Sequence, residues 1–182
     1  VTQDVLVDMA TQYNIEMSYK LYLYNLGDEC ESVTGGWQTV KWRGGLSSLA
    51  ANKKSDHLYS KGVSNTASYS ANFGWSTSNK VDLTGYNTLK AKISGGDYYY
   101  NVGARIGVSD TKKSESTNSS TSSDITFAAS TQMTTIIKDE TNFEEVSVDI
   151  KTVAGSQYIC AYTSACVSGQ VGLLAVYAVW LE

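Results

Sequence analysis

The sequence predicts a mainly β protein: a β-sandwich of the jelly-roll type, preceded by an N-terminal α-helix. Three observations lead to this prediction. Apolar and polar residues alternate with a period of two in several segments, as half-buried antiparallel strands require. Gly, Asn and Ser separate these segments in a chain without proline, and apolar residues make up 42% of the total. The 182 residues are enough for one domain with a sizeable core and a short appendage.

The N-terminal segment has the periodicity of a helix rather than of a strand. Within Asp4–Tyr24, apolar side chains recur in steps of three and four at Leu6, Met9, Tyr13, Met17 and Leu21. A helix of this length is marginal alone, so its apolar stripe must pack on the sandwich or on copies of itself in a parallel bundle. We therefore divide the chain into a helical stalk, residues 1–26, and a β-sandwich domain, residues 27–182.

Strands are predicted most clearly where apolar residues alternate, in Thr88–Ser94, Asn101–Ser109 and Glu145–Lys151. Weaker alternation predicts further strands at Gln38–Trp42, His57–Ser60, Ala67–Phe73, Ile125–Ala129, Met133–Lys138 and Gln157–Tyr162. The segment Val171–Leu181 is apolar on both faces, so we expect it to lie under the helix or against a neighbouring subunit. Residues 110–124 contain no core-forming side chain, which predicts a long solvated loop.

Charge and cysteine content exclude several functions. The net charge is −4 and no long basic run occurs, which disfavours nucleic-acid binding. No apolar run is long enough to span a bilayer, so we expect no membrane insertion. The three cysteines allow one disulfide and a free thiol, and whether Cys160 and Cys166 are bridged stays open. No zinc-ligand spacing is present, and we predict no metal site and no cofactor.

The ionisable residues give little support to catalysis. The single histidine, His57, follows Asp56, and neighbours in a strand point to opposite faces, so Asp56 is poorly placed to orient it. Glycoside hydrolysis needs two carboxylates about 5 to 10 Å apart, whereas the adjacent Glu144 and Glu145 would diverge on a strand. We therefore expect that the protein is not an enzyme.

Aromatic residues near turns suggest binding instead. Sugar rings stack their apolar faces on aromatic rings, and polar groups nearby bind their hydroxyls. The segment Gly95–Asn101 is the richest cluster, and Gly103 and Gly107 flank Arg105 on the outward face, which would leave room for a ligand. In the alternative interpretation, the tyrosines simply alternate across an ordinary strand. The candidate ligand-binding residues are Trp42, Trp75, Asp97, Tyr98, Tyr100 and Arg105.

Three patches of sequence resemble a known kind of module. They are GDECESVTGGW from Gly27, VDLTGYNTLKAKISG from Val81, and AVYAVWLE from Ala175. Together they resemble modules in proteins of phages that infect Gram-positive bacteria. Such modules form the host-facing parts of tail or head fibres. They are described as β-sandwiches of carbohydrate-binding type, and many of the fibres are trimers.

The resemblance implies a phage virion fibre or receptor-binding module that attaches to bacterial surface glycans without catalysis. Its expected partners are a bacterial surface carbohydrate, other virion proteins and two further copies of itself in a homotrimer. Its expected location is the virion, outside cells. One alternative is a carbohydrate-binding module of a secreted bacterial glycoside hydrolase, and another is a purely structural decoration protein of the virion.

Overall fold

A computed structural model describes residues 19–65, 71–112 and 126–182. These residues form strands joined by turns and loops, and they contain no helix. The strands are β1 (Leu21–Asn25), β2 (Trp37–Trp42), β3 (Leu46–Lys53), β4 (Leu58–Ser64), β5 (Ala71–Thr77), β6 (Val81–Asp82), β7 (Thr88–Asp97), β8 (Val102–Gly103), β9 (Arg105–Ser109), β10 (Ala129–Gln132), β11 (Glu144–Asp149), β12 (Ser156–Ala165) and β13 (Val171–Leu181).

The strands form two antiparallel sheets, so the β-sandwich predicted from the sequence is confirmed. The first sheet has the order β11-β7-β13-β4-β3, with β1 also paired to β13 and β8 to β7. The second has the order β10-β9-β12-β5-β2, with β6 also paired to β12. Strands that are neighbours in sequence often belong to different sheets, and the chain therefore crosses repeatedly from one layer to the other.

The core lies between the two sheets and is filled by the inward residues of the alternating strands. The predicted alternation is confirmed in β7, β9 and β11, whose inward apolar residues are buried. The single strand predicted at Asn101–Ser109 is wrong in its first half, because this segment is divided between β8 of the first sheet and β9 of the second. From the second sheet, Trp37 enters the core and its indole nitrogen donates a hydrogen bond of 3.0 Å to the carbonyl of Leu23. Other fully buried core residues include Leu58, Phe73, Leu89, Ile93, Ile106, Met133, Ile159 and Leu174.

The strand β13 is buried on both faces, as its sequence predicts. Its outer face is covered by residues of the same chain: Tyr22 lies over Trp180, and the rings of His57 and Phe143 lie over Tyr177. The Tyr177 hydroxyl also donates a hydrogen bond to a carbonyl of the segment 134–143, which crosses this face and which we call the strap. In the described chain this intramolecular cover takes the place expected for a helix or a neighbouring subunit.

The helix prediction is wrong for its last residues. Leu21–Tyr24 belongs to β1, which pairs with β13, so the sandwich already includes residues that we had placed in the stalk. The step from Met17 to Leu21 is four residues, which fits both a helix and a strand because four is also a multiple of two. The rest of the predicted helix lies in residues 1–18, outside the described ranges.

The weaker strand predictions can also be compared with the observed strands. Strands at Gln38–Trp42 and Gln157–Tyr162 are confirmed within β2 and β12, and the one at His57–Ser60 begins at Leu58. The prediction at Met133–Lys138 is wrong, because most of this segment belongs to the strap, which is not a strand. Of the strand predicted at Ile125–Ala129, the described residues before Ala129 are not in a strand. Most of Ala67–Phe73 and of the loop predicted at 110–124 lies outside the described residues.

None of the three cysteines forms a disulfide bond. Cys160 and Cys166 are buried and Cys30 is partly exposed, and Cys160 and Cys166 are not bridged. Burial also raises the pKa of the Cys160 thiol, which keeps it protonated and unreactive. Within the described ranges, no helix has the length and apolar character needed to cross a membrane.

The core position Leu174 and the exposed position Leu26 offer a matched test of the packing. Leu174→Ala should lower the free energy of unfolding by about 2–5 kcal/mol, because it opens a cavity among fully buried neighbours. Leu26 is 60% exposed, so Leu26→Ala should change the same quantity by less than about 0.5 kcal/mol. Denaturant unfolding of both variants measures the difference, and equal losses would contradict the position of Leu174 between the sheets.

Candidate functional site

An open cleft of about 410 Å³ lies on the outer face of the second sheet, near the ends of β2, β9 and β12. We call it the arginine cleft, because two arginines are among its lining residues. Its volume is within the range of about 300–1,000 Å³ typical of small-molecule sites. The lining residues are Trp42, Arg43, Asn72, Asp97, Tyr100, Val102, Arg105, Phe127, Tyr162, Ser164 and Cys166.

The register of the second sheet explains why these side chains meet. Tyr162 pairs with Gly74 on one side and with Arg105 on the other, so all three face outward. Trp42 at the end of β2 packs on Tyr162, with ring centroids 5.0 Å apart. Phe127 stacks on Tyr162 at 5.0 Å with an interplanar angle of 6°. The floor of the cleft is therefore a packed aromatic layer.

Arg105 is held in a defined position above this layer. Its guanidinium carbon lies 5.8 Å from the centre of the Tyr162 ring, within the range of a cation–π interaction. Its Nε donates a hydrogen bond of 3.1 Å to Gln132 on the neighbouring strand β10. These contacts restrict the side chain before any ligand arrives, which lowers the entropy lost on binding.

Asp97 lines the cleft but directs its charge inward. The side chain is only 1% exposed. One carboxylate oxygen accepts hydrogen bonds from the backbone N–H groups of Tyr99 and Tyr100, at 2.9 and 3.2 Å. The other accepts from the Ser164 hydroxyl at 3.2 Å and from the Cys166 N–H at 3.0 Å. Asp97 thus connects the turn at Tyr98–Tyr100, which we call the tyrosine turn, to the end of β12. Because the carboxylate of Asp97 is buried, the arginines carry most of the charge that faces solvent in the cleft.

Backbone strain is concentrated around the arginine cleft. Among the described residues, non-glycine positions with positive φ include Arg43 at 54°, Asn101 at 55° and Val167 at 67°. Arg43 lines the cleft, Asn101 follows Tyr100, and Val167 follows Cys166. A β-branched residue such as valine is rare in this conformation, and such strain is frequent at binding sites.

Four of the six residues predicted to bind a ligand meet in this cleft: Trp42, Asp97, Tyr100 and Arg105. They play different structural parts. Trp42 is only 2% exposed and belongs to the floor, whereas Tyr100 is 60% exposed and forms the rim. Tyr100 is therefore the aromatic ring here with an open face for stacking.

The other two predicted residues lie elsewhere. Trp75 is 3% exposed and packs in the core between the sheets, because alternation along β5 turns it inward while Gly74 and Ser76 face outward. Tyr98 does not line the arginine cleft and instead lies beneath the Lys138 ammonium group, 5.3 Å away. The alternative interpretation also fails, because Tyr98–Tyr100 form a turn and do not alternate along a strand.

The glycines that flank Arg105 do not leave the predicted open space. A Cβ at Gly107 would lie 2.6 Å from the Phe127 ring, and one at Gly103 would lie 2.7 Å from Cβ of Met133. The chain therefore fills both positions with its own side chains. Sequence reasoning missed Phe127 and Tyr162, which build the floor, and Arg43; only the outward position of Tyr162 on a predicted strand could have indicated one of them.

The environment of His57 corrects the argument made from strand alternation. Asp56 Oδ1 lies 2.7 Å from His57 Nδ1, because both residues belong to the turn between β3 and β4. Glu140 of the strap lies 3.2 Å from His57 Nε2 and also pairs with Lys54. Partial burial of Glu140 by itself raises the pKa of its carboxyl group. The hydrogen bonds from Lys54 and His57 outweigh that effect, so the pKa of Glu140 is lowered. This buried histidine joins the strap to the turn.

The carboxylates do not form a pair suited to glycoside hydrolysis at the positions considered from the sequence. Glu144 accepts hydrogen bonds from Thr134, whereas Glu145 lies beside Lys92 on the adjacent strand. Asp149 pairs with Thr88, the first residue of β7, and Asp97 is the last residue of β7. Nine steps along the strand, or about 30 Å, therefore separate the two positions. Among the described residues, no cluster of His, Cys, Asp and Glu could hold a metal ion.

Fold and cleft together define the chain as a two-sheet β-sandwich with an open, arginine-lined aromatic cleft on one outer face. No protein-family model matches the chain, and no curated protein matches it in sequence. The resemblance to phage fibre modules therefore stays a prediction.

The role assigned to Asp97 can be tested by replacing one of its oxygens. In Asp97→Asn, the amide nitrogen would face a donor, either the Cys166 N–H or those of the tyrosine turn. The variant should lose about 1–3 kcal/mol of unfolding free energy, because it leaves a buried donor unpaired. Asp110→Asn, at an exposed position, is the control and should be neutral within about 0.5 kcal/mol. Neutrality of both in urea unfolding would contradict this role.

Proposed function

We propose that the chain is a non-catalytic glycan-binding module, and that the arginine cleft is its binding site. The observation that carries the proposal is the convergence of an open tyrosine ring and two arginines over an aromatic floor. The exposed face of Tyr100 suits the apolar face of a sugar ring. The arginines and Asn72 supply planar donors for oxygens around that ring.

The charge of the cleft favours a glycan with acidic groups. Arg43 and Arg105 line it, while the carboxylate of Asp97 accepts four internal hydrogen bonds and is 1% exposed. A guanidinium group matches the geometry of carboxylate and phosphate oxygens. The proposed ligand is therefore a bacterial surface polymer that carries carboxylate or phosphate groups along a sugar backbone.

We further propose that the module belongs to a phage virion fibre or receptor-binding protein, with a jelly-roll sandwich at its tip and residues 1–18 in a helical stalk. The sequence resemblance to phage modules and the apolar stripe of the N-terminal segment support this part. A carbohydrate-binding module of a secreted hydrolase would use the same cleft but would have less need for the stripe. The two origins differ in the expected oligomeric state.

Binding is tested with purified Gram-positive cell walls and with a glycan array that includes phosphate-containing wall polymers. Tyr100→Ala should weaken binding about two- to tenfold through the lost stacking, and Arg105→Gln about tenfold or more through the lost charged hydrogen bonds. Lys61→Gln is the matched control for Arg105→Gln, because Lys61 is an exposed cation that does not line the cleft. Absence of binding by every version, or equal losses in Lys61→Gln and Arg105→Gln, would contradict the proposal.

The oligomeric state is tested on the full chain by light scattering coupled to size-exclusion chromatography. A fibre tip should have three times the chain mass of 19.7 kDa, because the apolar stripe of three N-terminal segments would associate in a bundle. Met9→Lys, which places a charge in that stripe, should shift the mass towards the monomer. A monomeric parent chain would contradict the fibre and favour the excised carbohydrate-binding module.

A further inference from the structure

We propose that the chain has a second carbohydrate site, on the outer face of the first sheet, and that this site takes a neutral sugar. A cleft of about 340 Å³ opens there beside β1, β11 and β13, and we call it the Phe143 cleft. It shares no lining residue with the arginine cleft, so the inference goes beyond the function proposed above. The lining residues that matter for the argument are Tyr22, Lys92, Phe143, Glu145, Ala178 and Trp180.

The aromatic walls of the Phe143 cleft are open to solvent and held in place from behind. Phe143 is 45% exposed and Tyr22 is 37% exposed, whereas Trp180, which lies beneath Tyr22, is 3% exposed. The Tyr22 ring rests on Trp180 at a centroid distance of 5.9 Å, and the Phe143 ring rests on Tyr177 at 5.3 Å. Each open ring is thus backed by a buried one, and little conformational entropy remains to be lost when a ligand stacks on it.

The charged groups around the Phe143 cleft lie close to groups of opposite charge and largely compensate one another. Lys20 lies 5.4 Å from the Trp180 ring and forms an ion pair of 3.2 Å with Glu182. Lys92 lies 5.3 Å from the Phe143 ring, and Glu145 is its partner across the strand pair β7–β11. Lys90 pairs with the same Glu182 at 2.8 Å, so three lysines meet two carboxylates. Because these charges largely compensate one another, a ligand with a net charge gains little electrostatic advantage. A neutral ligand with many hydroxyls can use donors and acceptors of both kinds.

The size and chemistry of the cleft favour a sugar over a protein partner. A volume of about 340 Å³ is that of a small-molecule site, and a stable protein interface needs about 800 Å² from each partner. An apolar peptide would cover the rings but would desolvate Lys92 and Glu145 without replacing their hydrogen bonds, which is costly. A hexose offers an apolar C–H face to the rings and hydroxyls to these two side chains.

The rim of the cleft is a strained turn that the fold holds firmly. Leu26, which lines the cleft, has a positive φ of 47° and is 60% exposed. Its N–H donates a hydrogen bond of 2.8 Å to the carbonyl of Tyr177. The next residue, Gly27, has no room for a side chain, because a Cβ there would lie 2.1 Å from the carbonyl oxygen of Ser55. Strain kept at the edge of an open aromatic cleft is typical of a binding site.

The proposal is tested by calorimetric titration of the full chain with neutral tetrasaccharides built from glucose, N-acetylglucosamine, galactose or mannose. At least one should bind, and Phe143→Ala should weaken that binding about fivefold, because it removes one stacking wall. Glu145→Ala should also weaken it and serves as a second variant at an exposed position. Tyr99→Ala, an exposed aromatic outside both clefts, should bind like the parent.

The variants separate this inference from the function proposed for the arginine cleft. If Tyr100→Ala abolishes binding of the neutral sugar and Phe143→Ala does not, the sugar binds in the arginine cleft and the second site is disproved. If no neutral tetrasaccharide binds at millimolar concentration, the second site is disproved as well. In either case, binding of acidic wall polymers and its loss in Arg105→Gln would be unaffected.

Discussion

The architecture depends on the burial of β13 on both faces. This strand is paired to β7 on one side and to β4 and then β1 on the other, so its backbone groups are hydrogen-bonded along both edges. Its inner face contributes Leu174, Val176 and Val179 to the core between the sheets. Its outer face carries Tyr177 and Trp180, which need a cover that the rest of the chain supplies. The strap and β1 are that cover, and their edges leave the Phe143 cleft between them.

The sequence predicted the parts of the fold in which alternation is long and regular. In β7 and β11, inward apolar residues face the core and outward lysines or glutamates face water, so period-two patterning leaves little ambiguity. Prediction from sequence failed where a short segment fits both the helical period and the strand period, as at Leu21–Tyr24. It also failed at Met133–Lys138, where Met133 and Ile137 pack against the core from a loop rather than from a strand. Whether an apolar segment reaches the core from a strand or from a loop depends on the whole fold and not on its local pattern.

The site could be predicted only in part for a related reason. Clusters near turns indicated Tyr100 and Arg105, since turn residues and outward strand positions can be read from local sequence. Phe127 and Tyr162 join the cleft only through the register of three strands, which no local pattern encodes. Trp75 was misjudged because small outward neighbours make a buried tryptophan look as if it lies in a polar surface segment. The contact between Asp56 and His57 contradicts the prediction because the rule that neighbours point to opposite faces holds in strands, whereas these residues lie in a turn.

The lack of disulfides among the three cysteines has a consequence for how the chain acquires its fold. Disulfide formation takes seconds to hours and prolyl isomerisation about 10–100 s, and both commonly limit folding. None of the three cysteines forms a disulfide and the sequence contains no proline, so neither event is needed to reach this fold. What remains is the pairing of strands distant in sequence, which is slow in its own right. Because β13 lies in the middle of the first sheet, that sheet can close only after β13 has left the ribosome.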